Sequence, residues 1–144
     1  MTAKEYLSRL RSLELRLLAN ANEIENLTTI ATHITSAINS DGIHTTGTTS
    51  DKLGSCVARI VDLRNEIDAD VESLGKLRGE IIGSIDNVKT DKYRELLRMR
   101  YVCHMTFAEI AEAMDITWQW AITLHGRALK EYSQKNQKKL KISE

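Results

Sequence analysis

The sequence of 144 residues contains no proline and a single phenylalanine. Because proline interrupts helices and marks loops, its absence favours a few long helices joined by few turns. Apolar runs are far shorter than the roughly 20 residues of a membrane-spanning helix, so we expect no membrane contact. The first residues place an acidic side chain early and lack an apolar stretch, and we therefore expect no signal peptide.

The two cysteines, Cys56 and Cys103, do not have the spacing of a metal or redox site. We interpret them as reduced thiols of a cytoplasmic protein. The sequence also shows no carboxylate pair, no Ser/His/Asp set and no Gly-rich phosphate loop. These absences predict a protein that is not an enzyme and that has no catalytic residues, cofactor or metal.

The net charge is zero, but the charges are unevenly distributed along the chain. Residues 1–90 contain 10 Lys and Arg against 13 Asp and Glu, whereas residues 91–144 contain 10 against 7. An acidic first part and a basic second part suggest two modules with different partners. The excess is three charges on each side, so a solvated charged surface explains it equally well.

Apolar residues within the first 38 positions recur at alternating spacings of four and three, the period of a coiled-coil seam. The row consists of Tyr6, Leu10, Leu13, Leu17, Asn20, Ile24, Leu27, Ala31, Ile34 and Ile38. Its one polar member, Asn20, is of the kind that fixes the register or orientation of paired helices. Leu7, Leu15 and Leu18 widen the apolar stripe.

The segment from Ser40 to Ser50 then interrupts the row with Gly, Thr, Ser and Asp, which favour loops. A second row follows: Leu53, Val57, Ile60, Leu63, Ile67, Val71, Leu74, Leu77, Ile81, Ile85 and Val88. Two matched amphipathic helices joined by a short loop fold back antiparallel. We predict such a hairpin in residues 1–89, with helices at about 3–39 and 51–88 and a leftover apolar edge suited to a homodimer.

Three glycines spaced by four, Gly75, Gly79 and Gly83, lie in the second predicted helix. Each costs up to about 1 kcal/mol relative to alanine in a helix interior. Either another helix packs closely against this ridge, or the helix is locally weak.

The apolar spacing changes after Thr90, which predicts a separate module in residues 90–144 with a basic tail. A short helix from about Asp91 to Val102 is followed by a break at Cys103 to Met105. Thr106 and Glu109 then have the spacing of a capping box. A second break at Asp115 and Ile116 precedes a last helix that begins after Thr117.

This order of two short helices and a tight turn has the features of a helix-turn-helix. The helices cross closely only where a small residue such as Ala111 lies, and the turn needs a left-handed residue, which Asp115 tolerates. Positions that need apolar or small groups carry Ile110, Ala111, Met114, Ile116, Ala121 and Leu124. The fold class predicted for the chain is therefore all-α, a long antiparallel helical hairpin followed by a small helix-turn-helix domain.

The segment from Tyr101 to Leu129, YVCHMTFAEIAEAMDITWQWAITLHGRAL, resembles region 4 of sigma-70-type factors. That region has the form Y-x-x-x-x-T-x-x-E-I-A-x-x-[LM]-x-x-S before a recognition helix that ends in A-L. The ending LHGRAL, together with DKLG and VARIVDL early in the second helix, is similar to sigma-factor-like proteins from phages of Gram-positive bacteria, the RinA and ArpU groups. The resemblance implies a phage or prophage transcription regulator in the cytoplasm of a bacterial host, with late genes as its expected targets.

The resemblance and the helical period together give the candidate DNA-binding residues, on the outward face of the last helix and at its start. They are Thr117, Trp118, Gln119, Trp120, Ile122, Thr123, Gly126, Arg127 and Lys130. Relatives tend to carry Arg, Gln or His on this face, whereas Trp118 and Ile122 do not hydrogen-bond base edges in that way. They suit either thymine methyl groups or a protein partner.

Three functions remain open at this point. The first is binding to double-stranded DNA by the C-terminal module, with the hairpin pairing protomers or engaging RNA polymerase. The second is a protein adaptor that binds polymerase or another regulator without base-specific DNA contact. The third is a structural coiled-coil protein capped by the C-terminal domain. The basic stretch from Lys135 to Lys141 suits phosphate contact, although a frayed, solvated tail has the same composition.

Overall fold

The computed structural model describes residues 1–41 and 47–142. Its α-helices are α1 (Ala3–Asp41), α2 (Gly47–Asp86), α3 (Asp91–Leu97), α4 (Phe107–Met114), α5 (Trp118–Lys135) and α6 (Gln137–Ile142), and a π-helical turn (Arg98–Val102) follows α3. The described residues contain no strand. The all-α prediction, a long helix pair followed by a small helix-turn-helix domain, is confirmed. Among the described helices, none has the length and apolar character required to cross a membrane.

The segment predicted as a loop, Ser40 to Ser50, is helical at both of its ends, and here the expectation was wrong. Helix α1 continues through Asp41 and α2 already begins at Gly47, while residues 42–46 lie outside the described residues. Serine and threonine are only weakly unfavourable in helices. Helix α1 shows why, because the Thr28 and Thr32 hydroxyls each donate to the carbonyl four residues earlier.

The packing divides the chain into two compact units. One comprises Met1–Glu14 with Leu74–Glu144, and the other comprises Leu15–Ser73. The division predicted from the sequence, residues 1–89 and 90–144, stays a prediction about which part of the chain folds by itself.

In the unit of residues 15–73, α1 and α2 run antiparallel, as predicted. Polar contacts pair Arg16 with Asp70, Asn20 with Glu66, and Glu23 with Arg59, so residue numbers fall on one helix as they rise on the other. The Asn20 amide donates to Glu66 Oε2 over 3.4 Å. Asn20 thus contributes a polar contact between the two helices.

Two positions of the predicted second row are corrected by the structure. Val57 and Val71 are about half exposed, whereas their neighbour Cys56 is partly covered and Asp70 is buried. Asp70 is only 8% exposed, and its carboxylate accepts hydrogen bonds from Arg16 Nε, at 2.8 Å, and from Arg16 Nη2. A two-pronged Arg–carboxylate pair satisfies the charge, so an aspartate occupies a place where hydrophobicity alone favoured valine.

The unit of residues 1–14 and 74–144 has two apolar cores. The first joins the start of α1, the end of α2, the π-helical turn and the second half of α5 around fully buried Tyr132. Its other buried members are Ala3, Tyr6, Leu7, Leu10, Ile81, Ile85, Val88, Leu97, Tyr101 and Ala128. The second core, of Leu96, Ile110 and Leu124, lies between α3, α4 and α5. Helix α5 contributes to both cores.

A buried polar network fixes the end of α5 against the end of α2. The Tyr132 hydroxyl donates to Ser84 Oγ over 2.8 Å, and the Ser84 hydroxyl donates to the Ile81 carbonyl over 2.7 Å. The Asn136 amide donates to the Ser84 carbonyl over 3.0 Å. Buried polar groups satisfied in this way specify one arrangement of the helices that carry them.

The glycine ridge of α2 faces open space. A Cβ atom added at Gly75, Gly79 or Gly83 would meet no atom within 4 Å. Of the two explanations that the sequence allowed, close packing of another helix is therefore absent from the described residues, and the locally weak helix remains.

Candidate nucleic-acid interface

Helix α4 begins with the capping box that the sequence predicted. The Thr106 hydroxyl oxygen accepts from the Glu109 backbone N–H over 3.2 Å, and Glu109 Oε2 accepts from the Thr106 N–H over 3.4 Å. Two backbone donors that the helix leaves unpaired are thereby satisfied. The start of the first helix of the motif is fixed by local sequence alone.

The turn between α4 and α5 has the predicted left-handed residue. Asp115 adopts φ 55° and ψ 49°, a region that aspartate tolerates better than most residues. The Ile116 N–H donates to the Ala111 carbonyl over 2.9 Å, and the Asp115 N–H donates to the Glu112 carbonyl over 3.2 Å. This pair of bonds is a Schellman motif, which closes the helix and reverses the chain within two residues.

Helix α5 starts at its predicted cap, where Thr117 Oγ1 accepts from the Trp120 N–H over 3.1 Å. Ala121 on α5 is fully buried, and Ala111 on α4 is nearly so. The two small side chains allow the helices to approach closely, as the sequence indicated. Leu124 and Ile110 fill the wedge between them, with Ile116 packed against the same core.

The outward face of α5 carries the residues predicted as DNA-binding, and all of them are exposed: Thr117, Trp118, Gln119, Trp120, Ile122, Thr123, Gly126, Arg127 and Lys130. The structure brings them together on a single helix and its cap. Their exposure makes contact with a partner possible, and their contact with DNA stays a prediction.

The aromatic residues divide this face into two edges. Trp118 and Ile122, one turn apart, are 54% and 38% exposed. Trp120, 42% exposed, lies on the other edge, and the Arg127 guanidinium carbon is 5.1 Å from the centre of its ring. The cation–π contact holds Arg127 beside Trp120, whereas no cation of the described residues stacks on the Trp118 ring.

A basic groove of about 410 Å³ continues from the C-terminal half of this face. Its lining includes the cations Lys89, Arg127, Lys130 and Lys135. The Glu131 carboxylate also lines it, but accepts three hydrogen bonds: from the Thr90 hydroxyl and from the Lys89 and Thr90 backbone N–H groups. The Thr90 hydroxyl is the main cause of a lowered Glu131 pKa.

Sequence reasoning did not include Lys89, because it precedes the motif and only the folded chain places it beside α5. The Glu131 bonds to residues 89 and 90 are what hold it there. No spacing rule gives a signal for a contact between residues 42 positions apart.

His125 lies on the covered side of α5, as a structural residue of the motif. Its ring packs edge-on against Phe107 at 5.1 Å between centroids, and 2.8 Å separates its Nε2 from the Tyr101 hydroxyl. Burial, followed by the nearby charges of Arg100 and Lys4, lowers the pKa of His125 to about 4. At neutral pH the ring is uncharged, and its Nε2 shares a hydrogen bond with the Tyr101 hydroxyl.

Comparison with known families bears on this part of the chain. Residues 90–131 match the family model described as Sigma-70, region 4. The matched segment runs from the N-cap of α3 to Glu131 of α5, so it contains the whole helix-turn-helix. No curated protein and no solved structure gives a significant match to the chain. The C-terminal helical domain therefore carries a sigma-70 region 4-like helix-turn-helix, which supports a DNA-binding regulator.

Proposed function

We propose that the protein is a sigma-factor-like transcription regulator that binds double-stranded DNA through α5. The observation that carries this proposal is the exposed outward face of α5, the second helix of a region 4-like motif, and the family match over residues 90–131 supports it. In a helix-turn-helix the second helix enters the major groove with its N-terminal end towards the base edges. The outward face of α5 then divides into a base-contacting half and a phosphate-contacting half.

The phosphate-contacting half is the C-terminal one. Arg127 and Lys130 follow the apolar first turns of α5, and Lys89 and Lys135 extend the positive charge into the basic groove. Contacts from lysine and arginine to phosphates position a protein on a duplex and release counterions. The base-contacting half contains Gln119 and Thr123, nearer the start of the helix.

This division predicts different outcomes for two alanine variants. Lys130→Ala should weaken binding to all duplex sequences alike and lower the salt slope by roughly one. Gln119→Ala should cost about 1–3 kcal/mol on the preferred sequence and leave random-sequence binding nearly unchanged. Fluorescence anisotropy with a preferred and a random duplex, over a series of salt concentrations, measures both effects.

Lys52→Ala is the matched control, because it removes the same charge from an exposed lysine on α2. Its salt slope should equal that of the unmodified protein. Equal salt slopes for Lys130→Ala and Lys52→Ala, with unchanged specificity in Gln119→Ala, would contradict the assignment of α5 as the recognition helix. Absence of any affinity for duplex DNA at low salt would contradict the proposed function as a whole.

The finer biological assignment is a regulator of phage or prophage origin acting on late genes in the cytoplasm of a bacterial host. Its support is the resemblance of DKLG and VARIVDL in α2, together with LHGRAL in α5, to the RinA and ArpU groups. RNA polymerase is the expected protein partner of such a regulator. Co-purification of polymerase subunits with the full chain, in the presence of target DNA, tests that part.

A protein adaptor is the second candidate function, and the exposure of Trp118, Trp120 and Ile122 favours it. Large apolar side chains on one exposed face are common at protein interfaces. The two functions differ in the response to Trp118→Ala. An adaptor would keep its DNA affinity unchanged and lose a protein partner, whereas the DNA-binding protein loses affinity for duplex.

The long helix pair supports a homodimer. Leu15 and Leu18, one turn apart on α1, are about half exposed, and so are Val57 and Val61 on α2. Apolar rows left on the outside of paired helices are suited to burial against a second copy.

We therefore expect the full chain to sediment at about twice its mass of 16.3 kDa, and Leu18→Glu to shift it towards the monomer. Ala19→Glu, with the same charge on the adjacent exposed position, is the control and should remain dimeric. Sedimentation equilibrium at micromolar concentration measures the masses. A monomer in the unmodified protein, or equal effects of both variants, would contradict pairing through this row.

A further inference from the structure

The first two turns of α5 have a composition suited to one class of base pair. Their exposed side chains are aromatic, aliphatic, amide and hydroxyl: Trp118, Gln119, Trp120, Ile122 and Thr123. No lysine or arginine lies between Thr117 and Gly126. Arginine and lysine are the residues that bind guanine O6 and N7. The Arg127 guanidinium is held against Trp120 on the opposite edge, so the edge of Trp118, Gln119 and Ile122 lacks the usual means of recognising guanine.

The hydroxyl of Thr123 is already committed within the helix. It donates to the Gln119 carbonyl over 3.1 Å. Thr123 accordingly presents its methyl group rather than a free donor. The Gln119 side-chain amide has no hydrogen-bond partner within the described residues, so its carbonyl oxygen and NH₂ group are available together. A glutamine amide matches the N6 and N7 edge of adenine.

The apolar edge formed by Trp118 and Ile122 suits the thymine that pairs with this adenine. The thymine 5-methyl group is the only apolar group that an unmodified base presents in the major groove, and apolar side chains contact it. Because this edge has no lysine or arginine of its own, contact with phosphates would contribute little to its binding free energy. Burial of a methyl group against its apolar side chains is favourable.

We infer that the first half of α5 recognises A·T base pairs, with Trp118 and Ile122 on thymine methyl groups and Gln119 on adenine. The inference rests on the proposed function, whose site it specifies further. It assigns the apolar residues to the duplex and not to a protein partner.

The charge of α5 favours a polyanionic occupant. From Trp118 to Lys130 the helix has no acidic residue, and its cations, Arg127 and Lys130, belong to the same exposed face. The first acidic side chain, Glu131, is held by Thr90 and Lys89. A duplex provides apolar methyl groups between rows of phosphates, which matches an apolar first half followed by a basic second half.

Replacing thymine by uracil tests the inference, because uracil keeps the pairing and the O4 acceptor but lacks the methyl group. The preferred duplex is first selected from a randomised pool with the full chain at fixed salt, and we expect an A·T-rich core. Its thymines are then replaced by uracil one position at a time. Loss of each contacted methyl group should lower the affinity about four-fold.

Two tryptophan variants provide the matched comparison. At the position that Trp118 contacts in the unmodified chain, the Trp118→Ala variant should bind the thymine and uracil duplexes with equal affinity. Trp120→Ala removes the same kind of side chain from the opposite edge, so it should lower affinity for both duplexes and keep their ratio. Circular dichroism should show unchanged helicity in both variants, because neither tryptophan belongs to the two apolar cores.

Equal binding of thymine and uracil duplexes by the unmodified chain would overturn the inference while leaving the proposed function intact. A selected core composed of G·C pairs would do the same. An unchanged thymine-to-uracil ratio in Trp118→Ala would remove Trp118 from the recognition of the methyl group and overturn its assignment. Failure to bind any duplex at low salt would instead contradict the proposed function, and the inference with it.

Discussion

Tyr132→Ala should lower the free energy of unfolding by about 3–5 kcal/mol, the usual cost of removing a large buried ring. The ring is fully buried in the first core, where segments of α1, α2, α5 and the π-helical turn meet. Its loss would leave a cavity and would break the hydrogen bond to Ser84. Urea unfolding followed by circular dichroism measures the change.

Tyr132→Phe separates the ring from its hydroxyl and should cost only about 1 kcal/mol. At alkaline pH, the free energy of unfolding of this variant should fall less than that of the unmodified protein. Burial raises the pKa of Tyr132 to about 12, so between pH 10 and 12 the unfolded chain loses a proton that the folded chain keeps. The unmodified protein therefore loses stability over that range, and Tyr132→Phe should lose less. Equal costs for the alanine and phenylalanine variants would contradict the packing described for this ring.

The second large effect is a loss of stability in mild acid that depends on His125. An unfolded histidine titrates near pH 6.5, whereas the folded ring has a pKa of about 4. Between these values the unfolded chain binds the additional proton, so the free energy of unfolding falls as the pH falls from 6.5 to 4. Above pH 6.5 the ring is neutral in both states and makes no contribution. Allowing for solvent screening of the partly exposed ring, we expect a loss of about 2–3 kcal/mol.

Replacement of both members of the hydrogen bond, Tyr101→Phe with His125→Phe, should remove this acid dependence without leaving a buried hydroxyl unpaired. His33→Asn is the control, since His33 is exposed on α1, and it should retain the full dependence. Urea midpoints between pH 7.5 and 4.5 give the comparison. A double variant that loses as much stability in acid as the unmodified protein would contradict the assignment to His125.

Much of the C-terminal motif could be predicted because its determinants are local. The capping box of Thr106 and Glu109, the left-handed Asp115 and the cap at Thr117 each depend on residues within a few positions of one another. Local backbone preferences and side-chain capping decide such features before the chain packs. The exposed row of α5 follows in the same way from helical period, although exposure alone does not assign a partner.

Features that depend on distant pairs could not be predicted. Whether Asp70 or Val71 takes the covered place on α2 depends on Arg16, which lies 54 positions away and satisfies the carboxylate. His125 likewise has a lowered pKa because folding brings Tyr101 and Phe107 around it. Lys89 joins the basic groove through Glu131. In each case the sequence supplies the residues but not the distance between them.

Helix α5 is one uninterrupted helix of 18 residues, exposed along one face and committed to both apolar cores on the other. A ligand on the exposed face binds only the folded chain, so mass action adds its binding free energy to the stability of the whole unit. At a hundred-fold excess over the dissociation constant this gain is about 2.7 kcal/mol, similar in size to the loss expected from His125 in acid. Under the proposed function, a bound duplex would lower the pH at which the unit unfolds, so the free and DNA-bound populations would differ in their tolerance of acid.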